Sequence, residues 1–274
     1  MNLPAHLDLI AAAPDGIRKL RGLILELAVR GKLVPQDPND EPASELLKRI
    51  AVERARLEGV ATRKKNKQTP LSEDDNWPFA IPNGWEWSRL SDLTQVLNGR
   101  AYSKDELLDS GTPVLRVGNL FTSNQWYYSS LTLEPQKYCE AGDLIYSWSA
   151  SFGPFIWNGP KVIYHYHIWK LALFDETSYS KTFLYKFLLE KTAEIKAAGH
   201  GVSMIHMTKE KMEKLPVPVP PLAEQHRIVA KVDELMALCD QLEASLAAAD
   251  ATRSRLLDAL LHEALNGQAQ AEAA

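Results

Sequence analysis

Two histidines, His165 and His167, stand one residue apart in the run VIYHYHIWKLALF. On a strand this spacing puts both imidazoles on one face, where they could begin a metal site. No third ligand follows at a metal-binding spacing, so the pair reads as partly buried strand histidines or as groups facing a nucleic acid. The tripeptide Glu194-Ile-Lys196 imitates the tail of a nuclease ExK motif, but it falls on a helical pattern beside Lys191 and reads as a solvated face. Cys139 and Cys239 lie 100 residues apart without a CxxC partner, which excludes a cysteine-rich zinc site or a disulfide scaffold and suits a reducing compartment. The acidic cluster Ser72, Glu73, Asp74 and Asp75 reads as linker. GxxxxGK[ST], GxGxxG and HExxH are absent from the sequence, so phosphate-loop, dinucleotide and zinc-hydrolase chemistry have no signature here.

What remains is recognition chemistry. The stretches NGRAYSKD, LRVGNLFTSNQWYY, SWSASFGPF and AAGHGVSMIHMTKEK combine Arg, Lys, Asn, Ser, His and Gly. Arg and Lys reach guanine edges or phosphates, Asn and Gln suit adenine, and hydroxyls and backbone N–H groups grip phosphate. Ordinary surface loops share this composition, so these residue types alone give no side chain a role.

The elements that must hold such loops are legible from periodicity. Trp85 and Trp87 alternate onto one strand face in WEWSRL, as do Leu144, Tyr146 and Trp148 in DLIYSWS, and VIYHYHIWKLALF reads as a strand apolar on both faces. A helix over residues 181–197 buries Leu184, Phe187, Leu188 and Ile195. All 23 aromatic residues fall between Trp77 and Phe187, so a strand-rich domain is expected between two helical segments. The fold class expected is α+β: one mixed α/β domain at 76–215, a helical segment with a basic linker at 1–75, and a Pro-rich strut with a long coiled-coil helix at 216–274.

In the first segment, residues 17–29 form a helix with Leu20, Leu23, Ile24, Leu27 and Ala28 on one face and Gly31 as its stop. Pro42 opens a second helix with the face Ala43, Leu46, Leu47, Ile50 and Leu57. The linker that follows carries Arg63, Lys64, Lys65 and Lys67, a run that is most simply solvated. In the last segment, Pro216, Pro218, Pro220 and Pro221 force an extended strut. Helix then runs from Pro221 to a stop at Gly267, about 45 residues and roughly 65–70 Å. Ile228, Val232, Leu235, Cys239, Leu242, Leu246, Ala249, Leu256 and Leu260 step along it as a heptad seam, so it needs a long partner. A shift of 236 residues superimposes Leu20 on Leu256, Ile24 on Leu260, Ala28 on Ala264 and Gly31 on Gly267, which suits head-to-tail pairing of two copies or descent from a longer tandem chain.

The net charge of −4 argues against unspecific coating of nucleic acid. Residues 216–274 carry 4 Lys+Arg against 9 Asp+Glu, so a nucleic-acid surface must come from the earlier segments. No apolar run reaches the ~20 residues of a membrane span, and no signal peptide is apparent; a cytoplasmic chain with no membrane partner is expected.

Three stretches resemble the specificity subunits of type I restriction–modification systems: LAVRGKLVPQDPNDEPASELLKRI (27–50), IPNGWEWSRLSDL (81–93) and LPVPVPPLAEQHRIVAKVDEL (215–235). The resemblance covers nearly the whole chain and implies a non-catalytic DNA-binding subunit. Its target-recognition domain would contact half of a split site in double-stranded DNA, while long helices space two such domains and dock adenine methyltransferase subunits. It places S-adenosylmethionine, ATP and Mg in partner subunits, leaves this chain without a cofactor, and admits restriction subunits as further partners. Carried over position by position, it implies DNA contacts from Gly99, Arg100, Tyr102 and Lys104, then Arg116 and Asn119. Ser149, Ser151 and Phe152 follow, and then Gly199, His200, Ser203, His206 and Lys209. A family member has two recognition domains and two spacers, whereas this sequence has one of each. A half-length form is therefore expected to pair as an antiparallel homodimer through 222–266 and 17–57, with Ile228, Val232, Leu235, Leu242, Leu246, Leu256 and Leu260 as helix contacts. The alternative is a coiled-coil adaptor whose middle domain binds protein.

Overall fold

The computed structural model describes residues 15–61, 77–149, 151–198 and 207–272. The chain divides into two compact units, residues 25–230 and residues 1–24 with 231–274. Helix α1 (Gly16–Val29) is followed by α2 (Ala43–Ala61), then by β1 (Glu86–Arg89), the single turn α3 (Leu90–Leu93) and β2 (Thr94–Asn98). Next come β3 (Thr112–Leu115), α4 (Val117–Phe121), β4 (Tyr127–Ser129), β5 (Tyr138–Cys139), β6 (Leu144–Ser147), β7 (Gly153–Ile156), β8 (Val162–Tyr164) and β9 (Ile168–Leu173). Helices α5 (Lys181–Ala198) and α6 (Lys209–Glu213), strand β10 (Pro216–Val219) and helix α7 (Leu222–Glu272) complete the order, a mixed α/β domain flanked in sequence by helices.

Among the described residues the strands form three sheets: an antiparallel β2-β9-β6-β7 sheet, a β4-β3-β8-β5 sheet whose β3 and β8 run parallel, and the β1-β10 pair. Strands β8 and β9 sit in different sheets, so VIYHYHIWKLALF is two strands broken by a turn at Tyr166–His167, where one strand was expected. The run is apolar on both faces because the two sheets share a core built from Leu115, Cys139, Ile145, Trp157, Val162, Tyr164 and Ile168. Burial pushes the Cys139 thiol up to about 12, which keeps it protonated and inert.

Local chemistry explains several boundaries. Helix α1 ends where Gly31 adopts φ 65°, with Gly31 N–H donating to Ala28 O and Lys32 N–H to Leu27 O, the paired bonds of a glycine C-terminal cap. Along α2 the inward row is Ala43, Leu46, Ile50 and Arg54, all buried, while Leu57 is 41% exposed. The expected apolar face thus gives way to a cation where Asp92 is in reach: Arg54 donates to Asp92 at 2.7 Å and to Glu58 at 3.0 Å. Leu23, expected on the inner face of α1, is likewise 41% exposed. In α5, Phe183, Leu184, Phe187 and Leu188 are buried, and Glu194 pairs with Lys191 on the outer side of the helix, in keeping with a solvated reading.

The prolines of 216–221 do extend the chain. Strand β10 pairs antiparallel with β1, and Pro221 O accepts the N–H of Gln225 to open α7. The first turn of α7 is fixed by polar side chains: Trp85 Nε1 donates to Glu224 at 2.9 Å, Gln36 Nε2 to the same carboxylate at 3.0 Å, and Gln225 accepts from Ser180 N–H at 2.7 Å. Gly267 does not stop α7, which continues to Glu272; a glycine costs a helix about 1 kcal/mol and does not forbid it.

In the second unit, Leu20, Val232 and Cys239 are buried, and Arg21 bridges Asp240 at 2.6 Å and Glu243 at 2.7 Å. Leu242 and Leu246 are half-buried, but Leu256, Leu257, Leu260 and Leu261 are 54–61% exposed. No helix among the described residues is long and apolar enough to cross a membrane.

Candidate nucleic-acid interface

The turn that separates β8 from β9 gathers three of the four expected loops. Arg100 N–H donates to Tyr164 O at 3.0 Å, and Tyr166 N–H donates back to Arg100 O at 3.0 Å. His165 N–H reaches Leu115 O at 2.9 Å, which sets the turn against the residue preceding Arg116. From the third side, Trp148 N–H donates to His167 O at 3.1 Å and its indole to Tyr166 O at 2.9 Å. The ends of β2, β3 and β6 therefore meet at residues 164–167. Gly99 makes the first approach close: a Cβ there would stand 2.3 Å from His165 O and 2.5 Å from Tyr164 O.

Rings pave this junction. Tyr166 lies 3.9 Å from His167 and 4.4 Å from His165 between ring centroids; Trp148 meets His167 at 5.0 Å and Trp169 at 5.5 Å. Tyr102 stacks on His165 at 6.4 Å. Burial, with smaller contributions from His167 and Arg116, lowers His165 to about 4, and burial also lowers His167. Both imidazoles are thus neutral near pH 7, each with one donor and one acceptor nitrogen. They lie at a turn, not on the common strand face expected, and no group of three or more metal-binding side chains exists among the described residues.

The expected contact residues differ in how they are held. Arg100 makes a two-pronged pair with Glu106 and lies over Tyr102 at 5.2 Å. Its partner Glu106 also accepts the Ser103 N–H at 3.0 Å, and together these bonds lower its carboxyl to about 2. Lys104 is exposed beside them. Arg116 lies over Tyr127 at 4.2 Å, with no ion pair to any described residue. Asn119 uses Oδ1 to accept Arg116 N–H at 3.1 Å and Nδ2 to donate to Gln125 O at 2.8 Å, so it shapes its own loop. Ser151 O accepts from Ser147 Oγ at 2.7 Å; Phe152 lies under Lys196 at 5.2 Å, and Ser149 is half-buried. Lys209 opens α6, pairs with Glu213 at 3.4 Å, and lines a cleft with Asn98 and Lys137. Gly199, His200, Ser203 and His206 lie outside the described residues, as do Arg63, Lys64, Lys65 and Lys67.

Trp148 and Tyr166 carry no contact expectation from the sequence, whereas His165 and His167 are read there as partly buried strand histidines or as groups facing a nucleic acid. The signal of this junction was present as four consecutive ring residues, Tyr164 to His167, interrupting an alternating pattern. A two-residue turn without glycine or proline hid it.

Comparison with known proteins places this geometry in a family. Residues 82–249 match the model of the type I restriction modification DNA specificity domain. The chain is 36% identical over 263 residues to the type I restriction enzyme EcoAI specificity subunit of Escherichia coli, covering 90% of this chain and 44% of that one. It is 37% identical over 265 residues to the EcoEI specificity subunit of Escherichia coli, with 90% and 43% covered. The chain thus spans less than half the length of these curated relatives. The HsdS subunit from Thermoanaerobacter tengcongensis shares the fold, with a TM-score of 0.50 at 18% identity over 88% of this chain and 51% of that one. So does a chain from the structural study of complex assembly and conformational transition of the type I R-M system, with a TM-score of 0.54 at 20% identity over 88% and 54%. By the domain match and by these two relatives, the chain belongs to the type I restriction–modification specificity-subunit family.

Proposed function

We propose that this chain is a non-catalytic, sequence-specific DNA-recognition subunit of a type I restriction–modification complex. Residues 76–215 read one half-site in double-stranded DNA, and residues 1–75 and 216–274 provide the helices on which adenine methyltransferase subunits dock. The observation that carries this reading is the meeting of the 99–104, 115–119 and 148–149 segments at the 164–167 turn, within a chain of this family. Loops anchored to a rigid sheet can present side chains to base edges with little loss of entropy on binding. S-adenosylmethionine, ATP and Mg act in the partner chains, and the assembly admits a restriction subunit.

Two copies pair antiparallel through residues 17–57 and 222–266, forming a coiled coil, so the target is a pair of inverted half-sites. The exposed Leu256, Leu257, Leu260 and Leu261 support pairing, because four leucines at that spacing make an apolar stripe that association would cover. Two measurements test the proposal. Electrophoretic retardation of a randomised duplex library, with the methyltransferase subunit added, is expected to enrich one bipartite sequence. Light scattering is expected to find two copies of this chain per complex. An unselective shift contradicts the first part, and a single copy on DNA contradicts the second.

A further inference from the structure

We propose that Arg116 reads the major-groove edge of a guanine from the junction beside His165, on whose ring Tyr102 stacks. This assignment rests on the DNA-recognition reading above and names the base and the side chain.

Arg89, Arg100 and Arg116 are the arginines of residues 77–215. The fork of Arg100 is engaged by Glu106. Arg116 differs: its guanidinium lies over the Tyr127 ring, and its side chain makes no hydrogen bond or ion pair with any described residue. Buried side-chain polar atoms without a partner are few in folded proteins, because an unmade hydrogen bond is costly. Among the described residues they are Tyr102 Oη, Arg116 Nε and Tyr179 Oη. Tyr179 packs against Phe183 in the core. The other two belong to residues flanking His165: Tyr102 stacks on its ring, and the charge of Arg116 acts on it. Unmatched polarity is therefore concentrated at one place, the junction where the loops meet.

The chemistry of that place favours a base edge over a phosphate. A guanidinium fixed in plane by an aromatic ring presents two terminal donors in one plane, matching O6 and N7 of guanine. A phosphate is met as well by a flexible cation such as the exposed Lys104. Neutral His165 does not repel the guanidinium beside it, and it brings a donor and an acceptor of its own. Asn119, the adenine-type reader in the same loop, has its amide tied to Arg116 N–H and Gln125 O.

The test uses the full chain with the methyltransferase subunit and the duplex that the wild-type protein selects from a random library. Each guanine is replaced in turn by 7-deazaguanine, which removes only N7. One position is expected to weaken wild-type binding by about ten-fold. The Arg116→Lys variant is expected to bind the unmodified duplex about ten-fold more weakly and to lose its response at that position. The proposal is overturned if no deaza position affects the wild type, if R116K responds as the wild type does, or if R116K weakens all duplexes equally, as loss of a phosphate contact would. The deaza scan is read on wild-type protein, so a scan without a sensitive position overturns the proposal even if R116K folds poorly. Failure of the library to yield any preferred sequence overturns the parent reading, and this one with it.

Discussion

Arg100 and Glu106 face each other in a two-pronged ion pair, 2.9 and 2.6 Å between nitrogen and oxygen, that folds the 99–106 loop back on itself. The same carboxylate takes the Ser103 N–H, and the guanidinium covers Tyr102, which in turn stacks on His165. Arg100 therefore positions the loop that borders Arg116, and Glu106 is as much a part of that loop as the cation.

Glu106 gives the loop a defined acid sensitivity. Its carboxyl is lowered from 4.5 to about 2 by the Arg100 and Ser103 hydrogen bonds. A depressed folded-state value contributes stability that is complete above about pH 4.5 and disappears as pH falls toward 2. The Glu106→Gln variant is expected to be less stable than the wild type at pH 6 and to converge with it near pH 2. Paired unfolding curves check this; a gap that persists unchanged at low pH contradicts the ion-pair account.

His165 has a window of its own. Its folded value of about 4 lies below the ordinary 6.5, because burial disfavours the imidazolium. The unfolded chain takes up a proton before the folded one, so stability falls between about pH 6.5 and 4 and levels off below. His167 contributes in the same direction, so the check is residue-resolved. The imidazole C–H resonances of His165 should titrate with a midpoint near 4, and a midpoint near 6.5 would mean that the ring is solvated.

Gly99→Ala should injure the junction without touching a charge. The added methyl would meet the carbonyls of Tyr164 and His165, which are backbone and held by strand pairing. A loss of roughly 1–3 kcal/mol is expected in denaturant unfolding, the usual cost of overpacking. A neutral substitution would show that β2 and the turn do not approach as closely as described.

Glu224→Ala tests the start of α7. Glu224 is 1% exposed and accepts from both Trp85 and Gln36. Removing it leaves two donors unmatched and should cost about 1–3 kcal/mol. At the far end of the same helix, Leu256→Glu with Leu260→Glu should leave the single chain's unfolding free energy within about 0.5 kcal/mol, because both side chains are exposed. Loss of dimer in light scattering, with the single chain's own unfolding free energy unchanged, is the outcome expected of a pairing surface.

The helices were legible because their signals are local. Gly31 closed α1, the Leu184, Phe187 and Leu188 row marked the inner face of α5, and the prolines of 216–221 fixed an extended segment. The junction at 164–167 was not, because it is non-local: Tyr164 continues a strand of one sheet and Ile168 begins a strand of the other, and periodicity is blind to which sheet a strand joins. Likewise Arg54 occupies a core-facing helical position only because Asp92, distant in sequence, awaits it. The resemblance marks the loops expected to contact DNA, and their geometry separates Arg100, engaged by Glu106, from Arg116, which no described carboxylate holds.

The most direct test of the central claim is a map of N6-methyladenine in DNA from cells making an adenine methyltransferase subunit with or without this chain. The account predicts methylation confined to one bipartite motif when the chain is present, and a relaxed or altered motif when Arg116 is replaced by Ala. Methylation of the same adenines without the chain, or at scattered sites with it, would contradict a role in sequence recognition.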